Sequence, residues 1–365
     1  MKYLIIDDLA HSGWLSILEK AIIKSEGELD AATNYNEAIE KIQNKYDIIF
    51  LDVRLTEEDH KIKNINEYSG FKILKIIKKE FNSINFSTPI ILLTASNKIW
   101  NIDLFKNHGV DSYYIKEHPD HFVNKEHSRE NLLNFQLQFM ELLETGKKKK
   151  EIWEICNQII KDINIHSYFK NKEDKYYNIK LRIIDKIRLG YSILFQPSSI
   201  VSKEILLSNN ETLSFIVFFS ILEEISKGFT KISDTWNDKY ERNGNWKFRN
   251  NEYLIEIDHK SNSFHVNFHK KKKHQKFDID KLPDFNVIGL SDQIYSLLFA
   301  YNSMNELEED FREVNKYRNG VDYIHSSVNN IFNKKLISHD ELEKSFEMNI
   351  KILSLIKKIF KIKIK

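Results

Sequence analysis

The spacing of apolar and polar positions changes character once along the chain. Up to about residue 116, short apolar runs alternate with stretches of helical spacing. Residues 3–6, 29–33, 48–51, 90–93 and 112–115 read as strands. Unbroken apolar runs such as Ile48, Ile49, Phe50 and Leu51 mark strands covered on both faces. Between them, Leu15, Ile17, Leu18 and Ile22, then Ala38, Ile39 and Ile42, recur at helical spacing, and residues 71–81 and 97–107 predict two further helices. Five alternating strand–helix units predict an α/β domain, a five-stranded doubly wound parallel sheet with helices on both faces. A last helix over 129–144 is expected to stop at Gly146 and the lysine run 147–150, which places a domain boundary between 1–145 and 151–365.

Beyond 151 the spacing is mostly helical. Ile152, Ile155, Ile159 and Ile163 predict one helix, 175–195 a second and 212–225 a third. Residues 252–258 and 264–269 alternate with period two, and the four residues 259–262 between them predict a β-hairpin. Helical spacing resumes from 291 to 365. The second domain is therefore expected to be mostly α-helical with a hairpin insertion at about 252–269.

Composition adds mainly exclusions. The 365 residues carry 55 Lys and Arg against 53 Asp and Glu, so the totals give no bias toward nucleic acid. A single cysteine, Cys156, rules out an intrachain disulfide and fits a reducing compartment; its place among apolar helix positions suggests packing. The opening MKYLIIDD is too short an apolar stretch for a secretory leader, and residues 215–222 fall well below a membrane span. A cytoplasmic protein with no membrane association is the expectation.

Candidate chemistry collects where the predicted strands end. Asp7 and Asp8 follow the first strand, Asp52 ends the third, Thr94 the fourth, and Lys116 follows the fifth. The carboxyl edge of an open parallel sheet is where ligands bind. Three clustered carboxylates repel one another unless a cation sits among them, and a hard divalent ion, Mg²⁺ above all, suits oxygen ligands. With a hydroxyl and an ammonium beside them, the set suits attack by Asp52 on a phosphoryl group. Taken singly, each acidic residue reads equally well as a helix cap or a solvated loop residue.

Through the segments LIIDD, IIFLDVRL, PIILLTAS and GVDSYYIKE, residues 1–125 resemble the receiver domain of two-component response regulators. The resemblance implies that Asp52 accepts phosphate from a histidine kinase or phosphotransfer partner, and that Asp7, Asp8 and Asp52 hold Mg²⁺. It further implies that Thr94 and Lys116 contact the phosphoryl group and that Tyr113 is the switch aromatic. Two departures stand out. Residues 56–69 form an insertion of about ten residues before Gly70, read as a solvated surface loop in which Glu57, Glu58, Asp59 and His60 lie near enough to add a ligand or gate access. Lys116 is followed by Glu117-His118-Pro119 and not directly by proline.

In the second domain, Leu307, Phe311, Val314, Val321, Val328 and Phe332 form an apolar stripe on which Arg318 and His325 also fall. Seven residues apart on a continuous helix, the two share a face. A core histidine and a paired arginine are one reading of this pattern. The order Arg318-Asn319, spacer, His325 also resembles the motif of HEPN domains, helical bundles that often dimerise and of which many are metal-independent ribonucleases; the resemblance covers 291–365. It implies His325 as general acid/base, Arg318 on the scissile phosphate, Asn319 as an orienting residue, and RNA as a partner along the basic run 269–276, a run that reads equally well as a solvated loop. Two functions follow: a homodimeric, phosphorylation-controlled effector with a ribonuclease output, or a non-catalytic adaptor whose helical domain dimerises or binds a partner protein.

Overall fold

A computed structural model describes residues 1–19, 27–94, 104–116, 125–166, 175–195, 203–228, 247–248, 251–260, 263–270, 304–320 and 339–361. The chain divides into two compact units, Met1–Glu154 and Ile155–Lys365.

The first unit contains β1 (Lys2–Ile6), α1 (Trp14–Ile17), β2 (Glu28–Ala32), α2 (Tyr35–Lys41), β3 (Ile48–Asp52), α3 (Ser69–Lys78), β4 (Ile90–Thr94), β5 (Ser112–Ile115) and the start of α4 (Lys125–Ile165). The strands form one parallel sheet in the order β2-β1-β3-β4-β5. Their unbroken apolar runs have a direct cause. Successive side chains point to opposite faces, so Leu4, Ile6, Ile49, Leu51, Ile90 and Leu92 enter the core with α2 and α3. Their neighbours Tyr3, Ile5, Ile48, Phe50, Ile91 and Leu93 enter the other core, with Phe135 and Phe139 of α4. The expected helix over 97–107 falls largely on residues outside those described.

One expectation is corrected here. The helix predicted to stop at Gly146 continues as α4 to Ile165. Gly146 is there for clearance, because a Cβ on it would come within 2.8 Å of the Pro89 ring. The lysines that read as a linker are docking groups. Lys149 pairs with Asp111 and Lys150 with Asp47, 3.2 Å away, while the Trp153 indole donates to the Phe81 carbonyl at 2.5 Å. Asp47 and Asp111 each stand just ahead of a strand, so α4 is tied along the amino edge of the sheet. Lys78 lies in the same buried network and donates to the carbonyls of Phe86 and Thr88.

The second unit holds the end of α4, then α5 (Lys175–Leu194), α6 (Lys203–Gly228), β6 (Lys247–Phe248), β7 (Asn251–Lys260), β8 (Ser263–Lys270), α7 (Met304–Gly320) and α8 (His339–Lys361). It is mostly helical among the described residues. Gly190 lets α5 approach α6 closely: a Cβ there would collide with the Phe218 ring, and the Ser214 hydroxyl donates to the Gly190 carbonyl at 2.8 Å. Cys156 is fully buried in this unit, and burial pushes its thiol pKa up, consistent with the packing role expected of it. The hairpin differs in detail from expectation. Its ladder runs on to Lys260 opposite Ser263, so the connection has two residues, not four. His259 and Lys260, polar and read as turn, are paired strand residues.

Candidate functional site

Parallel strands end at one edge, and the sheet order brings the polar residues together there. β1 and β3 are neighbours, with Ile6 opposite Leu51, so Asp7 and Asp8 emerge beside Asp52. β4 and β5 extend the edge, with Thr94 opposite Ile115, and the Lys116 backbone N–H donates to the Thr94 carbonyl at 2.7 Å. Thr94 is buried. Tyr113 lies on β5 with its ring exposed and the Lys106 ammonium 5.5 Å from its centre.

One carboxylate oxygen from each of Asp7, Asp8 and Asp52 falls within 4.8 Å of the others. Asp7 is fully buried, and Asp8 is exposed. The Lys116 ammonium bridges two of the three: it pairs with Asp52 and lies 2.5 Å from Asp7 Oδ2. Asp7 Oδ1 accepts the Leu9 N–H at 2.9 Å, whereas among the described residues the buried Oδ2 has no well-directed hydrogen bond and is paired with the lysine charge. Burial pushes the Asp52 carboxyl up to about 6; Lys116 opposes this shift and Asp7 adds to it. Burial, then the Asp7 charge, also raises Asp8. On Lys116 burial acts downward, but Asp52 and Asp7 outweigh it and leave the ammonium raised. Three acidic oxygens, one incompletely satisfied and two on carboxyls with raised pKa, form a donor set that fits a hard divalent cation.

The insertion after β3 is built differently from its sequence reading. Glu57 and Glu58 are exposed as expected, but Asp59 is only 2% exposed. Its Oδ2 accepts the backbone N–H of Leu55 at 2.8 Å and of Thr56 at 3.3 Å. Its Oδ1 accepts the N–H and hydroxyl of Ser69 at 3.1 and 3.2 Å. Asp59 therefore closes the insertion at its root and serves the free N–H at the start of α3, an end where negative charge is favoured. Gly70 comes next. A Cβ there would overlap the Asp52 carbonyl oxygen and lie 2.8 Å from that of Val53. The first turn of α3 thus rests directly on the backbone of Asp52. Residue spacing does not distinguish Asp59 from Glu57, Glu58 and His60, and it marks Gly70 only as the end of the insertion.

In the second unit, Leu307, Phe311 and Val314 are buried as their stripe predicts. Arg318 is half-buried with its guanidinium carbon 4.9 Å from the Phe219 ring centre, and Asn319 is exposed. Tyr317 meets Phe215 edge-on, and its hydroxyl hydrogen-bonds Ser345 at 2.6 Å. His325 lies outside the described residues, so the pairing expected with Arg318 does too.

No protein-family model matches the chain, and no curated protein does. Solved structures similar to its first two-fifths are response-regulator receiver domains. A receiver domain of a Francisella response regulator is 21% identical, with a TM-score of 0.29, over 39% of this chain and 96% of that one. A two-component response regulator from Clostridium difficile is 27% identical, with a TM-score of 0.26, over 37% and 96%. A chemotaxis response regulator of Vibrio cholerae is 21% identical, with a TM-score of 0.28, over 38% and 97%. Among the described residues, no helix is long and apolar enough to cross a membrane.

Proposed function

We propose that the first unit is a phosphoacceptor module in which Asp52 takes a phosphoryl group and, in doing so, controls the helical unit that follows. The observation that carries the reading is the convergence of Asp7, Asp8, Asp52 and Lys116 at one sheet edge, with the lysine bridging two of the carboxylates. With a pKa of about 6, Asp52 is mostly ionised at neutral pH, and a carboxylate oxygen can attack phosphorus. The new O–P bond forms as the bond to the donor breaks, and the donor's nitrogen or oxygen leaves with the electron pair. Lys116 stands ready to pair with the equatorial oxygens, and Thr94 supplies a hydroxyl at the same edge. Asp7, Asp8 and Asp52 would hold Mg²⁺, which when bound neutralises charge building on the phosphoryl oxygens. The natural donor is then a phosphohistidine on a kinase or phosphotransfer protein.

For the second unit, the stacking of Arg318 on Phe219 and the bond from Tyr317 to Ser345 favour a packing role for this end of α7. That favours the adaptor reading, in which the helical unit dimerises or binds a partner protein, over a ribonuclease built on Arg318, Asn319 and His325. Incubation with a small acyl phosphate and Mg²⁺, followed by intact mass, tests the phosphoacceptor. Wild type gains one phosphoryl group and Asp52→Asn gains none; equal gain in both overturns the assignment. RNA cleavage by wild type but not by His325→Ala would reinstate the nuclease.

A further inference from the structure

The geometry points to Trp14 as the positioning residue for Lys116, holding its ammonium over the carboxylate cluster through the indole face; the proposal rests on the phosphoacceptor reading. The ammonium lies 5.4 Å from the centre of the Trp14 ring. Among the described residues its other close partners are Asp52 and Asp7. A cation within about 6 Å of an indole face is attracted by the ring quadrupole, more strongly where water is sparse. The lysine side chain is 9% exposed, so the interaction operates in the drier regime.

The ring is itself fixed from below. After β1 the chain makes a short turn and passes through Gly13 at φ +127, a left-handed conformation that favours glycine. That turn starts α1 at Trp14, beside the carboxyl edge of the sheet. The indole then meets Tyr114 edge-on at 5.8 Å, and Tyr114 stacks on Phe135 of α4 at 4.3 Å. Lys116 follows β5 directly, and its backbone is tied to Thr94. Backbone pairing places the Cα, but four rotatable bonds lie between it and the ammonium. Trp14 narrows that freedom.

The consequence for the reaction is specific. In the metal-free protein Lys116 neutralises Asp7 and Asp52 together. If a divalent cation enters and takes over Asp7, the lysine loses one anionic partner and must turn to the incoming phosphoryl oxygens. The indole is a neutral partner that the ammonium keeps through this exchange. Without it, the lysine either stays in the carboxylate pair and competes with the metal or swings into solvent.

The test uses the full chain with tryptophan analogues carrying increasing numbers of ring fluorines, placed at position 14 alone. Fluorination drains the ring's negative face while nearly preserving its shape. The rate of phosphoryl uptake from a small acyl phosphate at saturating Mg²⁺ should fall stepwise along the series, with a total loss of roughly three- to tenfold. Trp14→Leu should match or exceed the most fluorinated analogue. A purely structural ring predicts a flat series with a loss only in Trp14→Leu, and that result overturns the proposal. A second readout does not depend on phosphorylation. In metal-free protein labelled with ¹³C-lysine, the Lys116 ε-methylene protons should show an upfield ring-current shift that Trp14→Leu abolishes. An unshifted resonance in wild type overturns the proposal even if phosphoryl uptake is normal. Absence of uptake in wild type with the ring-current shift present sinks the phosphoacceptor reading and leaves the Trp14–Lys116 placement standing.

Discussion

Asp59→Ala is the substitution whose cost can be followed most closely through the structure. The carboxylate is buried and accepts from Leu55, Thr56 and Ser69, which joins the end of β3 to the start of α3 across the whole insertion. Leu55 is itself buried, so removing the carboxylate strands its N–H away from water. A buried donor left unpaired costs about 1–3 kcal/mol. The Ser69 N–H is nearer solvent and adds the smaller penalty of a lost helix cap, about 1 kcal/mol. Local opening of the β3–α3 junction should therefore become easier by about 2–4 kcal/mol, or roughly thirty- to a thousandfold in the exchange rate of the Leu55 amide. Hydrogen exchange read residue by residue is the assay, because a two-unit chain need not unfold in one step. Asp59→Asn should fall between, since its amide keeps one acceptor and turns a donor toward other donors. Unchanged protection at Leu55 and Ser69 in Asp59→Ala would refute the reasoning and return the insertion to a plain surface loop.

Other expectations follow from the same contacts. Gly70→Ala must push the first turn of α3 off the Asp52 carbonyl, costing about 1–3 kcal/mol in thermal unfolding of the first unit and slowing phosphoryl uptake in parallel. In the metal-free protein the Asp52 pKa is raised from 3.8 to about 6, so the folded state binds a proton more tightly than the unfolded chain and loses stability as pH rises through that window. Asp52→Asn should consequently stabilise the metal-free protein above about pH 6 and change little near pH 4, read by urea midpoints at each pH. For the same reason Mg²⁺ affinity, followed by calorimetry, should weaken below about pH 6 as proton and metal compete. Lys149→Ala leaves Asp111 with less of the charge that offsets its burial and should cost about 3 kcal/mol, whereas Lys150→Ala breaks a more exposed pair and should cost under about 1 kcal/mol.

The first unit was readable because its signals are local and repeated. A strand covered on both faces must carry an unbroken apolar run, and residues 3–6 of β1, 48–51 of β3 and 90–93 of β4 are such runs. Asp7, Asp8, Asp52, Thr94 and Lys116 could be grouped from sequence because parallel strands deliver their ends to one edge. What the residue pattern does not carry depends on contacts distant in sequence. Gly146 and the lysines after it have the composition of a linker, and only the positions of Pro89, Asp47 and Asp111 make them the middle of a docked helix. Asp59 is one acidic residue among several in a polar loop, and its role is defined by Ser69 ten positions on. Trp14 carried no signal because its partner lies about a hundred residues away. In the hairpin, two polar residues that continue the ladder were indistinguishable from a turn. The Arg318–His325 stripe was legible as a pattern, but the packing of Arg318 against Phe219 was not, because Phe219 comes from α6.

The central claim is that Asp52 itself carries the phosphoryl group, and the acyl phosphate's own chemistry gives the most direct test. After incubation with a small acyl phosphate and Mg²⁺, borohydride reduction converts a phosphorylated aspartate to homoserine, which peptide mass spectrometry locates. The account predicts homoserine at position 52, at neither Asp7 nor Asp8, and none in protein incubated without the donor. Homoserine at another aspartate, or none in protein whose metal site is shown to bind Mg²⁺, would contradict it.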